Sequence, residues 1–369
     1  MTDSPMKSGG GAPLGADVVL THEDAARLHR EPLVVLEPLA AFLDAAGLGS
    51  GSCQLWPIGE GHSNVTYRIR RAGHEFVLRR PPRGPLQPSA HDVLREARLL
   101  VALRRAGVRV PEVLGACEDP TVIGAPFYIM EYVEGRVLRH RLPGAFRDVD
   151  SASVIARELV DALVELHAID ASHPDLIGFG RPTGYLERQI RRFRGLLEAT
   201  ATRSLPELEA VADWLEAELP DSRHTTVVHG DYRIGNVMYS TVAPPRLVAI
   251  LDWELSTIGD PLADVGYLTA MWTRPGDPAD PMRDLCTVTR GCCFPERHEL
   301  ARRYASETGR DVAALRWYEV LALWKSAIFL EGSYRRHLAG TSDDPYFARF
   351  EAGVPQLAHL AAEMITSAS

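Results

Sequence analysis

Two short strand-like runs in the second half of the chain place the strongest constraint on its fold. They are residues 237–240 (VMYS) and 247–251 (LVAIL), and the segment between them contains the turn-forming sequence TVAPP. In an antiparallel pair, the start of the first strand lies beside the end of the second. Asn236 precedes the first run and Asp252 follows the second. A hairpin would therefore bring these two side chains together at its open end.

A third polar side chain, Asp231, lies on the loop that leads into this hairpin, within the sequence VVHGDYRIGN. A few carboxylate and amide oxygens suit Mg²⁺, which keeps several waters and is completed by substrate phosphates. An Asp beside a metal-bound phosphate can instead accept the proton of an attacking hydroxyl. The spacing from Asp231 to Asn236 is that of the protein-kinase catalytic loop, and Asp252 stands where the metal-binding Asp of the kinase Asp-Phe-Gly motif would be. Either motif alone could be a turn-capping acid in any α/β protein, but the two in order indicate phosphoryl transfer.

Length and charge limit the class of protein. A chain of 369 residues is too long for one compact core, so we expect two lobes or domains. Hydrophobic residues make up 46% and charged residues 24%, which is ordinary for a globular protein in water. The formal charge of −9 argues against a general nucleic-acid binder, because phosphate neutralisation needs a basic surface.

Cysteine usage and hydropathy bear on the cell compartment. The five cysteines are odd in number and form no CxxC pair, which argues against a disulfide framework or a zinc site. The N-terminus has no charged-then-apolar signal sequence. No uncharged apolar run approaches the roughly 18 residues that a membrane span needs. We therefore expect a cytoplasmic protein with no membrane partner.

The first third of the chain reads as a small mixed lobe. The sequence NVTYRIRRAGHEFVLRR (64–80) is two alternating runs joined by RAGH, which is typical of a hairpin. Residues 91–108 have a helical apolar face, with Ser89 as a candidate N-cap, and PFYIMEYVEG is a strand ending at Gly135. The remainder is mostly helical apart from the predicted hairpin. The predicted organisation is a flexible segment (1–30), an N-lobe (31–134) and a C-lobe (135–369).

The sequences VVHGDYRIGNVM and VAILDWELSTIGDPLADVGYL together resemble the aminoglycoside phosphotransferase and choline kinase-like family. They are particularly similar to the branch found fused to, or beside, acyl-CoA dehydrogenases. The resemblance implies an α+β, protein-kinase-like fold, with a small β-rich N-lobe carrying one main helix and a larger, mostly helical C-lobe. It implies that Asp231 is the catalytic base and that Asn236 and Asp252 are metal ligands.

The resemblance also implies roles for the neighbours of these residues. Arg233 lies two residues after the base, where protein kinases carry a Lys that meets the transferring phosphate, and is predicted to be catalytic. We expect His229 to hold the loop rather than to take part in chemistry. Asp260 fits an N-cap followed by Pro at the first helical position, and we interpret Asp260 and Asp264 as scaffold.

The sequence PIGEGHSNVTYRIR (57–70) resembles the phosphate-covering hairpin of the same family. Glycines there allow the backbone to approach phosphate closely, although Asn64 occupies the third glycine position of the protein-kinase pattern. We expect Gly59, Gly61, Ser63 and Asn64 to bind the nucleotide. No GxxxxGK[ST] sequence occurs, so a P-loop is excluded.

The strand FVLRR would supply the next nucleotide contacts. Val77 and Arg79 share one face by alternation, and Arg79 stands where the kinase pattern has Lys. Arg can grip phosphate with two donors but is not interchangeable with Lys, and Arg80 is the competing candidate. Glu96 on the following helix is the expected ion-pair partner of the strand cation.

The sequence IMEYVEG would be the hinge that binds adenine. The backbone of residues 131–133 would hydrogen-bond the base, with Met130 behind it, so we assign Met130, Glu131 and Val133 to the nucleotide site. The predicted cofactors are ATP and Mg²⁺.

The acceptor is less constrained. The sequence YLERQIRRFR places Arg188, Arg191, Arg192 and Arg194 on one helix, where they could clamp the phosphates of a CoA thioester or simply form a solvated face. Members of the resembling branch are associated with phosphorylating hydroxy fatty acids as acyl-CoA esters. We therefore expect an ATP- and Mg²⁺-dependent O-phosphotransferase for a hydroxyacyl-CoA or hydroxy acid, with a functional link to an acyl-CoA dehydrogenase. An aminoglycoside or other small-alcohol kinase, and a regulatory pseudokinase, are the alternatives.

Overall fold

The computed structural model describes residues 17–59, 64–84, 92–146, 149–291, 293–341 and 345–366. The described chain divides into two compact units. The first comprises the residues up to Arg104 together with Pro111–Val133, and the second comprises Arg105–Val110 and the residues from Glu134 onward.

A five-stranded antiparallel sheet forms the centre of the first unit, with strand order β3-β4-β5-β7-β6. The elements of this part of the chain are β1 (Val18–Val19), α1 (His22–Ala26), β2 (Val34–Val35), α2 (Leu36–Ala45), β3 (Gln54–Pro57), β4 (Val65–Arg71), β5 (His74–Arg80), α3 (Val93–Arg105), β6 (Val113–Cys117) and β7 (Phe127–Glu131).

The predicted hairpin of this unit is confirmed by strands β4 and β5, which pair along their whole length. Ala72 and Gly73 connect them, both with positive φ (48° and 79°), as a two-residue hairpin turn of the primed type requires. The predicted N-cap Ser89 lies outside the described residues. The helix instead begins at Val93, and Asp92 Oδ1 accepts a hydrogen bond of 2.8 Å from the amide of Arg95.

The second unit is mostly helical, with two small antiparallel strand pairs, β8 with β11 and β9 with β10. Its elements are α4 (Val149–His167), α5 (Tyr185–Thr200), α6 (Pro206–Ala217), β8 (Thr226–Val228), β9 (Val237–Tyr239), β10 (Leu247–Ile250), β11 (Thr257–Gly259), α7 (Leu262–Met271), α8 (Arg297–Thr308), α9 (Leu315–Leu338) and α10 (Phe350–Thr366). Single 3₁₀ turns occur at Gly144–Phe146, Pro174–Leu176, Ile234–Asn236, Arg283–Leu285, Val288–Arg290 and Pro345–Arg349. One unit is built on a β-sheet with one main helix, and the other is mostly helical. This agrees with the α+β fold class predicted from the sequence.

Helix α9 is the centre of the second unit and packs against α5, α6, α7 and α10. Its buried side chains lie all around the helix, including Trp317, Ala322 and Leu323, because neighbours cover it on several sides. It also carries charged side chains, and within the described ranges no helix is long and apolar enough to cross a membrane.

The crossing of α7 over α9 is close because of a glycine. A Cβ placed on Gly266 would lie 2.5 Å from the Cβ of Tyr318 and 2.6 Å from its carbonyl carbon. These atoms belong to the backbone and the first side-chain carbon, so they cannot rotate away. Glycine at this position therefore sets how near the two helices can approach.

We expect Gly266→Ala to lower the free energy of unfolding by about 1–3 kcal/mol, the usual cost of overpacking a core. Gly195→Ala on α5 is the matched control, since a Cβ there meets nothing within 4 Å, and helix propensity should raise stability by about 0.5–1 kcal/mol. Urea unfolding of both variants measures the difference. Equal stability of the two would contradict the close crossing.

Candidate active site

The predicted hairpin before Asp252 is present. Strands β9 and β10 are antiparallel, with Val237 opposite Ile250. The amide of Leu251 donates a hydrogen bond of 2.8 Å to the carbonyl oxygen of Asn236. The residues that flank the two strands, Asn236 and Asp252, therefore meet at the open end of the hairpin, as the pattern predicted.

Asn236 is also bound directly to Asp231. Its Nδ2 donates to Asp231 Oδ2 at 2.6 Å and to the Asp231 carbonyl oxygen at 2.9 Å. The 3₁₀ turn Ile234–Asn236 folds the chain back so that the carboxamide reaches the carboxylate five residues earlier. Because its nitrogen faces Asp231, the carboxamide directs Oδ1 away from it, as an acceptor.

Asp252 has an unusual backbone. Its φ is +66°, in the left-handed region that non-glycine residues seldom adopt. The following residue, Trp253, is buried and donates from Nε1 to the carbonyl of Ile250 at 3.0 Å, which fixes the turn. Backbone strain of this kind persists where the surroundings determine the conformation, and it is concentrated at functional sites.

His229 joins the Asp231 loop to the end of β10. Its Nδ1 accepts a hydrogen bond of 3.2 Å from the amide of Asp231, so Nε2 carries the proton and donates to the Leu251 carbonyl at 2.8 Å. The imidazole also lies 4.7 Å from the ring of Trp253, between centroids. These contacts support the interpretation of His229 as a residue that holds the loop.

Asp264, near the start of α7, holds the same loop by hydrogen bonds to its backbone. Its two oxygens accept the amides of His229 at 2.7 Å and Gly230 at 2.8 Å, and His167 Nε2 lies 3.2 Å away. Burial raises the pKa of the Asp264 carboxyl, but these donors outweigh it and hold the pKa below its usual range. The interpretation of Asp264 as scaffold therefore agrees with its contacts.

Arg233 contacts the predicted base. Its Nε lies 3.3 Å from Asp231 Oδ1. Burial lowers the pKa of the guanidinium, but the Asp231 carboxylate more than compensates, so the pKa is raised. Arg233 is thus a fixed cation beside Asp231, and its predicted contact with a transferring phosphate stays a prediction.

Tyr267 is a member of the site that the sequence analysis missed. It is buried on α7, and its hydroxyl is close enough to Asp231 for the two groups to interact electrostatically. Burial and the Asp231 carboxylate raise the pKa of Tyr267 well above its ordinary value, so the hydroxyl keeps its proton. The signal lay in the spacing, because Tyr267 follows Asp264 by three residues and so shares its helix face.

The first unit contains the predicted ion pair of strand β5 and helix α3. Arg79 Nε lies 2.9 Å from Glu96 Oε2, and Glu96 is buried. Arg80 is turned to the other face, where its guanidinium donates to backbone carbonyls that include that of Pro81. Burial lowers the pKa of Arg80 to about 10. The alternation argument therefore identified the correct partner of Glu96.

The other predicted nucleotide residues lie on or near the same sheet. Val77 pairs with Met130 across β5 and β7. The amide of Glu131 donates to the carbonyl of Glu112 at 2.8 Å, so it is not a donor for adenine, whereas the amide of Val133 stays a candidate. Gly59 has a positive φ of 83° and Asn64 is buried. Gly61 and Ser63 lie outside the described residues.

The comparisons with known proteins agree with this geometry. The sequence model of the phosphotransferase enzyme family matches residues 55–318. The chain belongs to this phosphotransferase family. The matched range contains Asp231, Asn236 and Asp252, and the resemblance predicted from the sequence is confirmed.

The curated relatives are longer proteins, and this chain matches only part of each. Acyl-CoA dehydrogenase family member 10 of Mus musculus is 36% identical over 297 residues, which are 79% of this chain and 27% of the relative. Acyl-CoA dehydrogenase family member 11 of Gallus gallus is 34% identical over 327 residues, 85% of this chain and 41% of the relative. The chain thus spans between about a quarter and two-fifths of the length of these relatives.

Solved structures share the fold. A candidate aminoglycoside phosphotransferase of Ralstonia eutropha JMP134 superimposes with a TM-score of 0.75 and 29% identity, over 90% of this chain and 98% of that chain. A thermostable mutant of the aminoglycoside phosphotransferase APH(4)-Ia, in complex with ADP and hygromycin B, has a TM-score of 0.58 and 16% identity, over 89% and 98% of the two chains. The similarity to the Ralstonia protein supports membership of the phosphotransferase family. The similarity to APH(4)-Ia, at 16% identity, shows only that the fold is shared.

Two of the four arginines predicted as a CoA clamp are occupied within the second unit. Arg188 donates to the carbonyl of Arg181 at 2.6 Å, and Arg194 pairs with Asp213 at 2.7 Å and with Glu216 at 2.9 Å. Arg192 is exposed beside Phe193. The predicted clamp therefore cannot use all four side chains in this arrangement.

We expect Asp264→Asn to destabilise the second unit by about 1–3 kcal/mol, because a carboxamide presents a donor where three donors already converge. Asp213→Asn, at an exposed surface ion pair, should cost less than about 1 kcal/mol. Urea unfolding separates the two. If Asp264→Asn is as stable as Asp213→Asn, the loop does not depend on this carboxylate.

Proposed function

We propose that the chain is an ATP- and Mg²⁺-dependent phosphotransferase that phosphorylates the hydroxyl of a small molecule, with a hydroxyacyl-CoA or hydroxy acid as the favoured acceptor. The observation that carries the proposal is the convergence of Asp231, Asn236 and Asp252 at one end of the β9–β10 hairpin. Membership of the phosphotransferase family supports the class of reaction.

Asp231 acts as the base in this proposal. The acceptor hydroxyl gives its proton to the carboxylate as its oxygen attacks the terminal phosphorus of ATP; the bond from that phosphorus to the bridging oxygen breaks, and ADP leaves. Arg233 contacts Oδ1, and Asn236 contacts Oδ2. The carboxylate is thereby held in one orientation before the acceptor binds, which is how positioning lowers the barrier.

The residues at the hairpin end fit a magnesium ion. Asn236 Oδ1 is turned away from Asp231. Asp252 supplies a carboxylate just after the end of the paired strand, β10. One amide oxygen and one carboxylate are a small hard-oxygen set, which Mg²⁺ completes with phosphates and waters. When bound, the ion would neutralise charge on the transferring phosphate. Asn236 and Asp252 are the residues that would hold it.

The nucleotide contacts belong to the first unit in this proposal. Structures of APH(4)-Ia contain ADP or AMP-PNP, and the shared fold supports nucleotide binding here. Arg79, held by Glu96, would contact phosphate in place of the usual Lys. The proposed set is Gly59, Gly61, Ser63, Asn64, Val77, Arg79, Glu96, Met130, Glu131 and Val133.

The names of the relatives support the acceptor. Both mouse and chicken relatives are acyl-CoA dehydrogenase family members, and a kinase that modifies hydroxyacyl thioesters would act on the same class of carbon chain. The functional link to an acyl-CoA dehydrogenase is part of this proposal. The aminoglycoside kinase is the second candidate, favoured by the hygromycin B bound to APH(4)-Ia.

ATP consumption with a panel of hydroxyacyl-CoAs, free hydroxy acids, aminoglycosides, choline and sugars tests the acceptor. Turnover with the CoA esters and acids alone supports the proposal. Turnover with aminoglycosides alone replaces it by the antibiotic kinase. Tight ATP binding without turnover of any compound would indicate a regulatory nucleotide-binding protein.

Asp231→Asn should lower kcat by about 10²–10⁴-fold, the usual contribution of a general base, with little change in ATP affinity. Asp221→Asn, at an exposed pair with Arg223, is the control and should keep both values. Steady-state kinetics and calorimetric ATP titration measure the two effects. A collapse of ATP binding in Asp231→Asn would instead make Asp231 a ligand of the metal–nucleotide complex.

A further inference from the structure

Helix α9 packs against α7, which carries Tyr267. Burial and the Asp231 carboxylate raise the pKa of the Tyr267 hydroxyl, and Ser326 of α9 acts on the same hydroxyl in the opposite direction. Lys325 precedes Ser326 on α9, and the charges of Asp264 and Asp231 act on its ammonium group. Lys325 is therefore placed near the proposed base.

Lys325 is an unusual cation in this chain. Only two of its 40 lysine and arginine residues are lysines, Lys7 and Lys325. The Lys325 side chain is only partly exposed, and its Nζ lies 4.9 Å from the centroid of the Phe193 ring. Within the part of the chain that the structure describes, Nζ has neither a hydrogen bond nor an ion pair. Lysines withdrawn from water are normally paired.

A second cation lies on the same aromatic ring. The guanidinium carbon of Arg192, on α5, is 6.0 Å from the Phe193 centroid. Burial and the charge of Arg192 lower the pKa of Lys325 to about 8, although Asp264 and Asp231 act in the opposite direction. The charges of Arg192 and Lys325 repel each other, and an incoming anion would offset this repulsion.

The two nearby carboxylates act on Lys325 by charge, but their oxygens are already engaged by other protein donors. Asp264 accepts the amides of His229 and Gly230, and Asp231 is bound to Arg233 and Asn236. A ligand is therefore the group that would complete the site. The three N–H donors of a lysine suit a carboxylate or phosphate oxygen, with which they form charge-assisted hydrogen bonds.

We propose that Lys325, assisted by Arg192, binds an anionic group of the phosphate acceptor, a carboxylate or a phosphate, and so positions the acceptor hydroxyl beside Asp231. This assignment rests on the proposed kinase function and specifies the class of acceptor. Lys325 is a specificity-determining residue, and it disfavours polycationic acceptors such as aminoglycosides by charge repulsion.

Matched acceptors and variants test the assignment. The acceptors are free 4-hydroxypentanoate, which offers a carboxylate, 4-hydroxypentanoyl-CoA, which offers phosphates, and 4-hydroxypentanamide, which offers neither. Lys325→Met should raise KM for the anionic acceptor about 10- to 100-fold, as expected for loss of a charge-assisted hydrogen bond, with KM for ATP unchanged. Lys325→Arg should restore most of the affinity. Arg302→Met, which removes an exposed cation of α8, is the control and should change neither KM.

The two possible sources of the anion are separated by the acceptor that responds. An effect on the free acid alone identifies a carboxylate site, and an effect on the CoA ester alone identifies a phosphate site. An equal rise in KM for the amide would overturn the proposal, because it would show a general loss of packing. Should Lys325→Met fail to fold, full activity of Lys325→Gln on the anionic acceptors would equally overturn it.

The pH dependence gives a readout that a packing role would not move. As pH rises through about 8, Lys325 loses its proton, so KM for the anionic acceptor should increase in the wild type. Lys325→Arg keeps its charge, and its KM should stay flat over the same interval. The charged groups that act on Lys325 are Arg192, Asp264 and Asp231, and the pKa of the Asp264 carboxyl is held below its usual range. A flat wild-type profile would contradict the proposal.

Failure of the kinase function can be told apart by chemical labelling. Acetic anhydride at pH about 8 should acetylate Lys325 and Lys7, and mass spectrometry measures each separately. Protection of Lys325, but not Lys7, by 4-hydroxypentanoate or its CoA ester supports the anion site even if no acceptor is phosphorylated. Turnover of the acids by the wild type, with no protection and no effect of Lys325→Met, would sink this inference and leave the proposed function standing.

Discussion

The rest of the site depends on the buried carboxylate of Asp264. It accepts hydrogen bonds from the backbone of the loop that carries Asp231. A buried carboxylate is stable only when its oxygens are satisfied, and here the amides of His229 and Gly230 and the imidazole of His167 supply the donors. The cost of burial thus enforces one loop conformation. The same helix, α7, carries Tyr267, a buried hydroxyl whose pKa is raised by burial and by the Asp231 carboxylate.

Three acids of this unit differ in their burial and in their backbone conformation. Asp260 accepts the amide of Leu262 at 2.9 Å and the hydroxyl of Tyr318 at 2.8 Å, and it is buried like Asp264. Both are satisfied by donors from the fold and have no need of a ligand. Asp252 is only partly buried and is held in a strained left-handed conformation. A fold maintains such strain where a side chain must point in one direction, which is the demand that a metal ligand makes.

The sequence was sufficient for the parts of the site that depend on local pattern. Strand alternation predicted that Arg79, and not Arg80, pairs with Glu96. Hairpin geometry predicted that Asn236 and Asp252 lie side by side. Both predictions were possible because strand periodicity and pairing depend on a few neighbouring residues. It was insufficient for Tyr267, Ser326 and Lys325. Tyr267 lies on α7 and the other two on α9, and their positions relative to the loop depend on how these two helices pack. Because α9 is buried on several sides, its pattern has no single apolar face that would indicate its orientation. The amide of Glu131 donates a hydrogen bond to the carbonyl of Glu112. This contact joins residues far apart in the chain, so no local pattern could predict it.

A shared fold does not determine which acceptor a phosphotransferase takes, because the chemistry at the base is common and the acceptor is read by other surfaces. In this chain the loop beside the base carries Arg233, and the α5 and α9 helices add Arg192 and Lys325 over one aromatic ring. The chain as a whole is acidic, at −9, so the positive charge near Asp231 is a local arrangement and not a consequence of composition. Charges this close to a partly desolvated site act at short range and with little screening by salt. Under the proposed role of Lys325 and Arg192, a few side chains of α5 and α9 set the sign of the charge that the acceptor carries, while the fold itself leaves that choice open.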